Sequence, residues 1–140
     1  MIERSLKTLA VRVKQHNENA LQIATFLSGH PSVGSVYYPG LQKHPLHEVA
    51  RDQMSGFGGM LAFTLADESH VGRFLERLQV IVPSLSLGGV ESIICQPAIT
   101  SHVKMPEAER LEQGITNGLL RLSVGIEHLD DLIGDLKQAF

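Results

Sequence analysis

The run from Leu119 to Ile126 narrows the possible folds of this chain most, because it alternates apolar and other residues with the period of a β-strand. One side of such a strand carries the apolar residues Leu120, Leu122, Val124 and Ile126. Arg121 falls on the other side. A guanidinium in a buried or half-buried strand needs an anion, because burying an unpaired charge is costly. The sequence therefore predicts a sheet with one apolar face and an anion for Arg121, either a carboxylate of the protein or that of a ligand.

Residues 1–28 contain no glycine or proline, and Gly29-His30-Pro31 follows them. This pattern predicts one or two long helices that end at a glycine cap with a proline behind it. Two apolar stripes, separated at Asn17, lie at Ile2, Leu6, Leu9 and Val13 and at Ala20, Ile23, Ala24 and Leu27. We therefore expect residues 1–28 to be a connecting helical region whose two halves face different surroundings.

The rest of the chain alternates short strand and helix patterns. Strands are predicted at 33–38, 60–65, 80–82, 91–95 and 119–124, and helices at 46–54, 106–113 and from Leu129 to Phe140. Asp67 is predicted to cap a further helix, which carries Val71, Phe74, Leu75 and Leu78. The layout predicts one α+β domain over 1–140, a small and mostly antiparallel sheet with helices on one face.

The composition excludes several classes of partner. The net charge is −3 and the basic residues form no run, which argues against nucleic acid. No apolar stretch approaches the roughly 20 residues that span a membrane, and the start of the chain lacks the apolar region of a secretory signal. The single cysteine, Cys95, fits a reducing compartment. A cytoplasmic location is therefore expected.

Other reactive residues have an ordinary structural explanation. Cys95 ends an apolar run and is expected to be a buried strand cysteine; a nucleophilic pair with His102 lacks a visible orienting group. His44 and His47 flank Pro45 without a cluster of further ligands, so no metal site is expected. The loop 84–89 can be a plain glycine turn between strands or a place where backbone N–H groups approach a ligand.

Motifs along the whole chain match one pattern in one order. They are Arg4-Ser-Leu-Lys-Thr-Leu9, Tyr38-Pro-Gly-Leu41, His44-Pro45 with His47, Gln53-Met-Ser-Gly-Phe-Gly-Gly-Met60, Ser86-Leu-Gly-Gly-Val-Glu-Ser92, Pro97-Ala98 with Ser101-His102, Gly114-Ile115-Thr116 and Leu120-Arg-Leu-Ser-Val-Gly-Ile-Glu127. Together they resemble the C-terminal domain of the cystathionine γ-synthase-like enzymes, the pyridoxal-phosphate (PLP) enzymes of cysteine and methionine metabolism. That domain is the small domain of fold-type I PLP enzymes. The resemblance thus implies the same fold class as the residue patterns.

The resemblance also implies roles for individual residues. The arginine that matches Arg121 binds the α-carboxylate of the amino-acid substrate, and the residue that matches Ser86 lies near that carboxylate. Leu85 matches a position that faces the distal end of the substrate; an apolar residue there is typical of synthases, sulfhydrylases and methionine lyases. Ser101 replaces a threonine of the family and keeps its hydroxyl group. For Arg121 itself, a salt bridge to Glu91 or Glu127 is the alternative.

The resemblance implies a trans-sulfuration enzyme, a cystathionine γ-synthase or a cystathionine lyase, that uses PLP and forms a homotetramer. Its substrates would be sulfur amino acids or O-acyl-homoserine. In the family a larger N-terminal domain carries the cofactor lysine, and none of the five lysines here matches it, so no PLP is expected on this chain alone. The alternative interpretation is a non-catalytic interaction module or a remnant of such an enzyme.

Overall fold

The computed structural model describes residues 2–86 and 88–140. Met1 and Leu87, which belong to the predicted helical region and the predicted glycine loop, lie outside the described residues. Along the chain the helices are α1 (Ile2–Leu6), α2 (Leu9–Ser28), α3 (His47–Gln53), α4 (Val71–Arg77), α5 (Glu107–Glu112) and α6 (Leu129–Ala139). The strands are β1 (Val33–Tyr37), β2 (Met60–Leu65), β3 (Val82–Pro83), β4 (Ile93–Cys95) and β5 (Leu119–Ser123).

The five strands form one sheet in the order β1-β2-β5-β4-β3. Among the described strands the β3–β4 pair is parallel, and the other pairs are antiparallel. The predicted α+β architecture with a mostly antiparallel sheet is confirmed. β5 lies at the centre, and this position explains why its alternation is the strongest strand signal in the sequence.

One face of the sheet is the apolar core. Leu120 and Leu122 of β5 are fully buried there, together with Phe63 of β2 and Ile94 of β4. Residues of α2, α4 and α6 belong to the same apolar cluster, including Ile23, Leu27, Phe74, Leu132 and Leu136. On the opposite face, Tyr37, Met60, Thr64 and Arg121 are exposed or half-buried, whereas Ile93 and Cys95 of β4 are buried.

The N-terminal region differs from the prediction in detail. The helix is interrupted at Lys7-Thr8, and α2 runs through Asn17 without a break. The change of surroundings at Asn17 is confirmed, because Leu9 and Val13 are 44 % exposed whereas Ala20, Ile23, Ala24 and Leu27 are fully buried. Gly29 does follow the last helical residue, but its φ of −100° shows that α2 ends without a left-handed glycine.

Three other elements begin later than predicted, because a side chain takes the backbone N–H groups at the expected start. Asp67 caps a 3₁₀ turn at Glu68–His70 by accepting a hydrogen bond from Ser69 N, and α4 follows that turn. β3 begins at Val82 because the N–H groups of residues 79–81 donate to the carboxylate of Asp135 instead of to a strand. β4 begins at Ile93 because Ser92 N donates to the carboxylate of Glu127.

Within residues 2–86 and 88–140, no helix has both the length and the apolar character needed to cross a bilayer.

Replacing both Leu6 and Leu9 by glutamate is expected to leave the 140-residue chain folded, with a free energy of unfolding within about 0.5 kcal/mol of the wild type. Both side chains are exposed, and uncovered apolar surface favours association. Sedimentation velocity should therefore show a larger monomer fraction for the double variant. As a control, Ile23→Glu places a charge in the core and should unfold the chain. Unfolding of the double variant itself would show that the first stripe belongs to the core.

Candidate functional site

Arg121 lies in the middle of the sheet, on the face opposite the core. Its neighbours across the strands are Ala62 of β2 and Cys95 of β4. The residue is half-buried, whereas Leu120 and Leu122 on either side of it are fully buried. As predicted, the side chain of Arg121 therefore lies on the face of β5 opposite the apolar one.

Neither Glu91 nor Glu127, the two acids expected as alternative partners, forms an ion pair with Arg121. Among the described residues, the ion pairs within 4.0 Å do not include Arg121. The carboxylate of Glu127 accepts hydrogen bonds from the N–H and the hydroxyl of Ser92, the latter at 2.9 Å. An internal bridge to Glu91 or Glu127 is therefore not the arrangement of this structure.

The start of the glycine loop (residues 84–89) lies level with Arg121 in the sheet, on the far side of β4. Ser84 N donates to Ile94 O at 2.9 Å, so Ser84 continues β3 to the level of Cys95 and Arg121. Side chains alternate along a strand, and Ser84 therefore falls on the Arg121 face, two strands or roughly 10 Å away. Further along, Ser86 Oγ accepts from Gly88 N at 3.2 Å, and Leu85 is 53 % exposed.

A groove of about 320 Å³ connects this loop with the end of the sheet. Gly88 and Gly89 lie on one side, Ser123 and Met60 form the sheet side, and Arg12 and His16 of α2 contribute to the wall. Tyr38 supports the groove from the core, because its hydroxyl donates to Gly58 O at 2.9 Å. Burial raises the pKa of Tyr38 to about 12, so the hydroxyl stays neutral and keeps donating.

Ser101 lies beyond the C-terminal end of β4. It follows the 3₁₀ turn at Pro97–Ile99, and its Oγ is 2.9 Å from Nδ1 of His102. Cys95 is buried in β4 as predicted, and His102 pairs with Ser101, so the structure does not join Cys95 and His102 in a nucleophilic pair. Arg121 and the start of the glycine loop share one face of the sheet, whereas no hydrogen bond of the described residues links Ser86, Leu85 or Ser101 to Arg121.

The two closely spaced histidines have structural partners. His47 Nδ1 is 2.8 Å from Pro39 O, and its ring stacks on Phe57 with 5.5 Å between centroids. His44 Nδ1 accepts from Leu46 N at 3.2 Å. In the part of the chain that the structure describes, no three metal-ligating side chains come together.

Two supports of the site were not identified from the sequence. Arg110 is 6 % exposed; it donates to Ile115 O and, at 2.9 Å, to Asn117 Oδ1, and so fixes the turn that leads into β5. Asn19 is 1 % exposed and donates to Gly125 O and Glu127 O at 3.1 and 2.9 Å. Asn19 stands directly before an apolar stripe of α2, and this unusual position was the available signal.

Comparisons with known proteins agree on one family. The family described as Cys/Met metabolism PLP-dependent enzymes matches residues 1–140. A cystathionine β-lyase of Lactococcus lactis is 50 % identical over 139 residues, which are 99 % of this chain and 37 % of the relative. A cystathionine γ-lyase of Bacillus subtilis is 47 % identical over 139 residues, with the same coverage.

A solved structure gives the same result for the fold. The crystal structure of cystathionine γ-synthase from Xanthomonas oryzae in complex with cystathionine superposes with a TM-score of 0.92 at 46 % identity. The superposition covers 97 % of this chain and 35 % of the solved chain. The chain thus spans little more than a third of the length of the relatives that it matches.

Proposed function

The chain belongs to the family of Cys/Met metabolism PLP-dependent enzymes, and we propose that its residues bind the α-carboxylate of an amino-acid substrate for such an enzyme. The chain would form the small C-terminal domain of the enzyme, with residues 1–28 as the helical connection. The substrate class would be sulfur amino acids or O-acyl-homoserine. The reaction would be that of a cystathionine γ-synthase or a cystathionine lyase.

The observation that carries this proposal is the unneutralised guanidinium of Arg121. It is half-buried in the central strand, and the described carboxylates lie beyond ion-pair distance of it. Exposure on the face opposite the core leaves it accessible to a ligand. A guanidinium presents two parallel N–H groups that match the two oxygens of a carboxylate, which an ammonium group cannot do.

The glycine loop supplies the remaining contacts in this proposal. Ser86 Oγ accepts from Gly88 N, which leaves its hydroxyl hydrogen available for an oxygen of the substrate. Leu85 is exposed and would contact the distal part of the substrate. Ser101, which follows the C-terminal end of β4, would provide a further hydroxyl.

The residues of this chain do not themselves make a site for PLP. Such a site needs a lysine in a cavity for the covalent bond to the cofactor, and all five lysines here, Lys7, Lys14, Lys43, Lys104 and Lys137, are exposed. When bound, PLP supplies an electron sink for the carbanion formed from the substrate. The cofactor lysine would therefore come from a part of the enzyme outside these 140 residues, and assembly as a homo-oligomer is part of the same proposal.

Mixing the 140-residue chain with PLP and reducing with borohydride is expected to give no stoichiometric adduct at one lysine. Exposed lysines should react slowly and to similar extents, because no neighbour holds the cofactor in place. Peptide mass spectrometry would locate any adduct. Trapping of one equivalent at a single lysine would contradict this expectation and would place the cofactor on this chain.

The proposed function is tested on the full-length protein that carries this chain. It should bind PLP and turn over at least one of L-cystathionine, cysteine, methionine and an O-acyl-homoserine. Turnover would be measured as the release of thiol, ammonia or acid. A protein that holds PLP and turns over none of them would contradict the proposal. A full-length protein that neither binds PLP nor reacts would favour the non-catalytic interaction module.

A further inference from the structure

A buried serine and a glutamate join the two chain segments that flank the candidate site. Glu127 follows β5, and its carboxylate accepts from both the N–H and the hydroxyl of Ser92, which precedes β4. Ser92 is 1 % exposed, and its hydroxyl oxygen also accepts from Gly125 N at 2.8 Å. The Ser92 hydroxyl therefore bonds two groups of the turn, Glu127 and Gly125. Its loss would leave the buried N–H of Gly125 without an acceptor.

Helix α2 holds the other side of this arrangement. Asn19 donates to the carbonyl groups of Gly125 and Glu127, and Gln15 donates to Asn19 Oδ1 at 2.9 Å. The turn at 125–127 is thereby fixed to a long helix through its backbone, which leaves the Glu127 carboxylate oriented towards Ser92.

Gly125 shows how closely these segments approach. A Cβ at this position would lie 2.6 Å from Ser92 N, and it would also meet Val90 O and Oε2 of Glu127. Cβ atoms essentially never come within 3.0 Å of other atoms in this way. The glycine is thus required for contact between the turn and the residues before β4.

The glycine loop is hydrogen-bonded to its surroundings at both ends. At its start, Ser84 N is bonded to Ile94 O, and just beyond its end Ile126 N donates to Val90 O at 2.9 Å. Between these anchors, the side-chain hydrogen bond of the described loop residues is the local one from Gly88 N to Ser86 Oγ. Because that bond lies within the loop, the loop is oriented relative to the sheet by its two ends.

We propose that Ser92 and Glu127 form a clasp that positions the glycine loop for substrate binding, so that Ser92 is a positioning residue which acts through Ser86. The inference rests on the proposed function, since it assigns a support to the same binding site. Substrate affinity is then set partly by a buried pair that does not itself touch the substrate.

The test compares Ser92→Ala with a matched variant in the full-length protein. Asp135→Asn also weakens the bonds between a buried carboxylate and backbone N–H groups, but those belong to residues 79–81. Ser92→Ala is expected to raise KM about tenfold with kcat within about twofold, since one lost support of this kind is worth roughly a factor of ten. Asp135→Asn should lower stability and leave KM unchanged.

Two further measurements separate positioning from a loss of stability. Amide hydrogen exchange should become faster in the peptide that covers residues 84–92 in Ser92→Ala and stay unchanged there in Asp135→Asn. The effects of Ser92→Ala and Ser86→Ala on KM should be less than additive, because one acts through the other. Should Ser92→Ala fail to fold, Glu127→Gln is the milder variant, since it keeps one acceptor for Ser92 N.

The outcomes distinguish this inference from the proposed function. If Arg121→Lys and Ser86→Ala raise KM while Ser92→Ala and Glu127→Gln do not, the clasp is refuted and carboxylate binding stands. Full additivity with Ser86→Ala, or unchanged exchange in the loop, refutes the clasp equally. If Arg121→Lys and Ser86→Ala leave KM unchanged, the proposed function fails and the inference fails with it.

Discussion

Arg121→Lys in the full-length protein is expected to lower kcat/KM by about 30- to 1,000-fold, which corresponds to about 2–4 kcal/mol of lost transition-state stabilisation. Lysine keeps the charge, but it replaces two parallel N–H donors by one ammonium group on a flexible stem. The strand on which Arg121 stands is buried on its other face by Leu120 and Leu122, so the backbone should not adjust to recover the contact. Steady-state kinetics with the best substrate would measure the loss.

Arg73→Lys is the matched control for this substitution. Arg73 lies on α4, is exposed, and belongs to the helical layer on the core side of the sheet. The kcat/KM of the Arg73→Lys variant should stay within about twofold of the wild-type value, since surface substitutions away from a site have small effects. A loss for Arg121→Lys no larger than that for Arg73→Lys would show that Arg121 does not clamp a carboxylate.

Asp135→Ala is expected to cost about 3 kcal/mol of the free energy of unfolding, because it leaves three backbone N–H groups without an acceptor. Asp135 is 4 % exposed and accepts from Gln79, Val80 and Ile81 at 2.8–2.9 Å. Chemical denaturation of the 140-residue chain would measure the change. Asp131→Ala, an exposed acid on the same helix, should change the same quantity by about 0.5 kcal/mol or less.

The stabilisation by Asp135 is also expected to depend on pH in a defined direction. Burial raises the pKa of its carboxyl, but the hydrogen bonds from Ile81, Gln79 and Val80 outweigh burial and hold the pKa below its usual range. A depressed pKa contributes stability that is complete above the unfolded value of about 3.9 and is lost as the pH falls through the folded value. The difference between wild type and Asp135→Ala should therefore be constant near neutral pH and shrink below about pH 4. A difference that grew on acidification would contradict this.

The sequence predicts the sheet well because the central strand is buried on one face only. In β5 the alternation of buried and half-buried residues follows the sequence pattern directly, whereas β2 alternates in burial although its sequence is mostly apolar. The same property made Arg121 visible as a candidate, since a charged residue inside such a pattern is unusual. Helix α2 was equally predictable from its length without glycine or proline.

The supports of the site were harder to predict because they join residues far apart in sequence. The bond from Ser92 to Glu127 spans 35 residues, and the bonds from Asn19 to the turn after β5 span more than 100. The strand boundaries near Val82 and Ile93 moved for the same reason, since carboxylates from distant segments took the N–H groups that a strand would have used. Local patterns carry no information on such partners.

The most direct test of carboxylate binding compares two ligands in the full-length protein. One is the best amino-acid substrate, and the other is the corresponding amine without the α-carboxylate. Wild type should favour the amino acid in kcat/KM by about 30-fold or more, because only the amino acid can bind both N–H groups of Arg121. In Arg121→Ala the kcat/KM values for the amino acid and the amine should lie within about threefold of each other. A preference that persists at the wild-type level in Arg121→Ala would contradict the assignment of Arg121 to the substrate carboxylate.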